Sequence, residues 1–159
     1  MCYFITATLP KDADLSKSAE VFNAYHLNFK EIENESVRKH LENGDFYIFT
    51  TNGICDCGTV LASQGAGKYQ PSELNDEKIK RDEAQTHEHS MMSVEDWINF
   101  IHDILGSKAT KRIGILVHEY KESLDSKIKI LGKITVPLEK LTIKFLVEMS
   151  EDVIYDFTL

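Results

Sequence analysis

The chain has few of the features that mark specialised protein classes. Its longest apolar runs are short, such as Phe46 to Phe49 and Ile113 to Val117, whereas a membrane helix needs roughly 20 apolar residues in a row. No membrane span is expected. Basic charge is scarce too: 18 Lys and Arg stand against 26 Asp and Glu, for a net charge of −8. A nucleic-acid interface calls for a basic stripe. The densest basic stretches, "KIKR" at 78–81 and "KATKR" at 108–112, are short and flanked by acids. They read as solvated surface, so no nucleic-acid partner is expected.

Cysteine is equally sparse. Three cysteines make an odd number, which fits badly with a disulfide framework. The opening "MCYFITATLP" has no basic lead and no long apolar stretch before a small-residue cleavage site, so it does not read as a secretory signal. The expected compartment is the cytoplasm, where thiols stay reduced. There, an acidic surface would suit a basic protein partner.

What is present is an ordinary globular composition, 42% hydrophobic and 28% charged. The length of 159 residues predicts a single domain over 1–159, large enough for a core without staples. Tyr3 to Leu9 is aromatic and β-branched and ends at Pro10, as a strand would. Asp14 offers a helix cap ahead of Leu15, Ala19, Phe22 and Tyr25 at helical spacing. Leu27 to Ile32 predicts a second strand, and Val37 and Leu41 a short helical turn closing at Gly44. Phe46 to Thr51 predicts a central strand. Residues 70–92 are the most polar stretch and read as a loop or a charged, weakly amphipathic helix. Ser93 and Asp96 then form a capping-box-like start. Val94, Trp97, Ile98, Ile101, Ile104 and Leu105 follow on one face, with Gly106 as the stop. Ile113 to Val117 completes the order strand, helix, strand, strand, helix, strand.

That order predicts an α+β fold with a ferredoxin-like βαββαβ core. A C-terminal extension follows, a helix or a hairpin and then a closing strand at Val153, Tyr155 and Phe157. Two readings compete for 138–149. Leu141, Ile143, Phe145, Val147 and Met149 alternate as in a strand, while Pro137 before "LEKL" suits a helix start.

The stretch that looks chemical is "NGICDCGTVLASQGAGKY", residues 52–69. Within it, "ASQGAGKY" (62–69) approaches a phosphate-binding loop. Tyr69 stands where that motif needs Ser or Thr, and Pro71 lies where a helix should run. The glycines read better as a tight, irregular path. In the ferredoxin-like order 4-1-3-2, the start of the first strand lies beside the ends of the third and fourth. Cys2, Cys55, Cys57 and His118 would then gather at one end of the sheet. Three Cys and one His form an accepted structural zinc set. His87 and His89 of "THEH" are alternative ligands. Beside the zinc reading stand two others: ordinary small buried thiols, and thiol chemistry at Cys2 or at the Cys55-x-Cys57 pair.

A Met-Cys start leading directly into a strand resembles the beginning of class II glutamine amidotransferases. The resemblance covers roughly the first eight residues, and the family's glycine after the cysteine is Tyr3 here. It implies Cys2 as a nucleophile, with its own α-amino group as base. Two functions follow from these residues. One is a non-catalytic interaction or regulatory domain stiffened by zinc. The other is a small cysteine-dependent enzyme.

Overall fold

A computed structural model describes residues 2–57, 59, 61, 62, 77 and 92–159. They form a mixed α+β structure with one six-stranded sheet and four helices. In chain order the elements are β1 (Cys2–Leu9), α1 (Leu15–Ala24), β2 (Lys30–Glu31), α2 (Glu35–Arg38) and β3 (Phe46–Phe49). Then follow α3 (Val94–Gly106), β4 (Arg112–Tyr120), β5 (Gly132–Pro137), α4 (Ile143–Val147) and β6 (Val153–Thr158). The strand order is β2-β3-β1-β4-β6-β5. β1 is antiparallel to both β3 and β4, with Thr6 opposite Phe49 on one side and Leu116 on the other.

Alternation along β1 sorts its side chains onto two faces. Ile5, Ala7 and Leu9 join the main core with Phe22 of α1 and Trp97, Phe100, Ile101, Ile104 and Leu105 of α3. The opposite face is smaller and more polar. There Tyr47, Leu116, Ile130 and Ile154 pack with Val37 of α2, beside the buried hydroxyls of Thr6 and Thr8.

The two long helices start where their caps direct. The Asp14 side chain accepts from the Lys17 N–H at 3.0 Å. At α3, Ser93 Oγ accepts from the Asp96 N–H at 3.0 Å and the Asp96 carboxylate accepts from the Ser93 N–H at 2.9 Å, so two orphan donors of the first turn are paired reciprocally.

Two expectations need correction, and one open choice is decided. The ferredoxin-like topology is not confirmed: the sheet has six strands in the order β2-β3-β1-β4-β6-β5, not four in the order 4-1-3-2. The second strand is only Lys30–Glu31, not 27–32; the chain turns through His26 at φ 58°, and Asn34 already caps α2. Of the two readings for 138–149, strand and helix, the structure has the helical one. Pro137 closes β5, a 3-10 turn spans Leu138–Lys140, and Thr142 caps α4 by accepting from the Phe145 N–H at 3.0 Å. The place beside β6 is taken by β5, paired in parallel from Gly132↔Val153 to Pro137↔Thr158.

Candidate metal centre

β3 stops at Phe49 after pairing with Thr6–Leu9. That leaves the β3-facing edge of Cys2–Ile5 without a strand, and its polar backbone groups need partners. The chain from Thr50 to Cys57 supplies them largely with side chains. Thr50 Oγ1 donates to the Ile5 carbonyl at 2.5 Å, and the Ile5 N–H donates to the Asp56 carboxylate at 2.7 Å. The Asp56 N–H donates to the Tyr3 carbonyl at 2.9 Å, and the Tyr3 N–H donates to Cys57 Sγ at 3.2 Å. Gly53, at φ 140°, takes the turn that brings the chain back along β1. Thr59 then closes the loop, its hydroxyl donating to the Asp56 carbonyl at 2.8 Å.

This zipper carries two thiols to the first residue of β1. The sulfur atoms of Cys2, Cys55 and Cys57 all lie within 4.8 Å of one another. Cys2 and Cys55 are half-buried, Cys57 is exposed, and all three are free thiols. A hydrogen bond with Cys57 pulls the Cys55 thiol below its ordinary value. Burial, together with that same hydrogen bond, pushes Cys57 up to about 11. Burial also raises the Asp56 carboxyl, opposed by hydrogen bonds from Thr51 and the Ile5 N–H.

His118 sits elsewhere in the network. It stands opposite Phe4 on β4, its ring meets Tyr120 edge-on at 4.5 Å, and its Nδ1 is hydrogen-bonded to Asp152. Asp152 docks at the β6 side of β4 through its N–H to the Val117 carbonyl, 3.0 Å, whereas the thiol loop runs along the β3-facing edge of β1. Among the described residues the three cysteines form the group close enough to share an ion, and His118 is not a member of it. His87 and His89 lie outside the described residues, as do Lys68 and 63–69 of the phosphate-loop stretch and, apart from Glu77 and Met92, the polar segment 70–92. Sequence reasoning passed over Asp56, the side chain that pins the loop to β1. Its position between the two cysteines was the available signal.

No family model, no curated protein and no solved structure matches this chain. Among the described residues no helix is long and apolar enough to cross a membrane. The site's own chemistry therefore has to carry the assignment. Soft thiolate donors select zinc, copper(I) and similar ions over hard cations, and the three cysteines could hold such an ion.

Proposed function

We propose that this chain is a non-catalytic, acidic interaction domain whose N-terminal strand is locked to the 50–57 loop by a zinc ion on Cys2, Cys55 and Cys57. The observation that carries this reading is the mutual approach of three sulfur atoms within 4.8 Å, contributed by two segments about fifty residues apart. A tetrahedral Zn–S shell at 2.3 Å needs sulfur atoms about 3.8 Å apart, so small side-chain adjustments complete the set. The Tyr3 N–H on Cys57 Sγ suits a thiolate, which a charge-assisted hydrogen bond stabilises. The fourth donor is an imidazole, His87 or His89.

The strand run β2-β3-β1-β4 is a ferredoxin-like core in this reading, with β6 and β5 as the extension. The partner is a basic protein surface, drawn by the net charge of −8, and the compartment is the reducing cytoplasm. Native mass spectrometry of the purified full chain tests the metal: one zinc per chain is expected, lost on Cys57→Ser. Apoprotein in zinc-supplemented buffer, with all three thiols alkylated at equal rates in the folded state, would overturn the reading.

A further inference from the structure

Cys55 of the thiol cluster also lines a cavity of ≈ 20 Å³. Its wall includes Cys55, Asn52, Asp56, His26 and Trp97. A space above roughly 10–15 Å³ admits one water-sized molecule, so this cavity has room for a small polar guest. Trp97 is 2% exposed, yet its indole N–H, buried, has no hydrogen-bond partner among the described residues. A buried unpaired donor is an uncommon and unfavourable arrangement. The site therefore combines a nucleophilic sulfur, a free donor and room for a small polar molecule, with two further thiols within 4.8 Å of the first.

We propose that this cavity seats one molecule of hydrogen peroxide against Cys55, and that Cys55 and Cys2 form a peroxide-reactive pair. In the first step the Cys55 sulfur attacks one peroxide oxygen and the O–O bond breaks. The thiol proton ends on the departing hydroxide, which leaves as water, and Cys55 becomes a sulfenic acid. Sulfur is oxidised by two electrons and peroxide is reduced by two. The Trp97 N–H donates to the oxygen on which negative charge develops. In the second step the Cys2 sulfur attacks the Cys55 sulfur, the S–O bond breaks, and hydroxide leaves as water with the Cys2 proton. Two thiols and one peroxide thus give one disulfide and two waters. Cys2 is the resolving thiol because it belongs to another element, whereas Cys57 lies two residues from Cys55 and already accepts the Tyr3 N–H. The disulfide removes two of the three sulfur donors, so oxidation expels a bound zinc ion. That regulatory consequence rests on the metal reading; the thiol reaction itself does not.

The experiment uses the reduced full chain treated with a chelator, so that it succeeds or fails apart from zinc binding. Hydrogen peroxide should yield a Cys2–Cys55 cross-linked peptide by mass spectrometry. With Cys2→Ser, dimedone should instead label Cys55. Because the cavity is small, bulky cumene hydroperoxide should react roughly tenfold or more slowly than hydrogen peroxide, and Trp97→Phe, which keeps the packing but not the donor, should slow the peroxide reaction by a similar factor. Equal rates for the two peroxides on the unmutated chain, or first oxidation at Cys57, would overturn the proposal whether or not Trp97→Phe folds. Zinc titration of the reduced and oxidised chain then reads the metal separately, with binding expected only when reduced. A zinc affinity unchanged by the disulfide would overturn the regulatory step.

Discussion

At the scale of single residues, the polar face of the sheet is where the fold tolerates least. Thr8, Gly114 and Asp156 stand in one row across β1, β4 and β6. A Cβ at position 114 would come within 2.1 Å of Thr8 Oγ1 and 2.6 Å of Asp156 Oδ1. Gly114→Ala should therefore destabilise by about 1–3 kcal/mol in urea titration. Asp156 is buried between Lys133 Nζ at 2.9 Å and Arg112 Nη1 at 3.7 Å. Removing one partner of a buried ion pair costs about 3–5 kcal/mol. Asp156→Ala should fall near the low end, since Arg112 keeps Asp45 at 2.6 Å. Tyr25 behaves differently because it titrates. Burial, and then its hydrogen bond to Asp103, raise its hydroxyl from 10.0 to about 12. A raised folded value means stability that is whole below pH 10 and is lost as pH climbs towards 12. Tyr25→Phe should shrink that alkaline loss, measured by urea unfolding on either side of the interval.

At the scale of elements, α3 is the part whose sequence and structure agree most closely. Its cap, its apolar stripe and its end near Gly106 are all local, and a capping box needs only residues three apart. Trp97→Ala should cost about 3–5 kcal/mol, since the ring is buried against Phe100. Ser93→Ala should cost about 0.5–2 kcal/mol through the lost cap. Residues 132–149 were harder to read. β5 is an edge strand with Val136 as its one buried side chain, so it shows no alternation to detect. α4 has five residues, too few for helical periodicity to assert itself over the alternation at Leu141 to Met149. Which segment lay beside β6 was decided by pairing, not by propensity.

At the scale of the molecule, the thiol cluster ties the start of the chain to a loop, so a ligand there should stabilise the whole fold. Zinc at about 1,000 times its dissociation constant should add about 4 kcal/mol to unfolding, and chelator should remove it. Unchanged unfolding with and without chelator would exclude a zinc-stiffened domain. The sequence by itself determined the inventory: three thiols, a capped apolar helix, strands around 3–9, 46–51 and 113–117, and an excess of acid. These are set by composition and by neighbours within a few residues. Only the tertiary structure decided which of them meet. Cys2 reaches Cys55 and Cys57 because β1 is central and its exposed edge is satisfied by Asp56 and Cys57. His118 turns instead to Asp152, which the β4–β6 pairing brings alongside. Contacts between residues fifty or more positions apart follow strand order, and strand order follows from how the sheet buries its two faces, a condition on the whole chain that no local window contains.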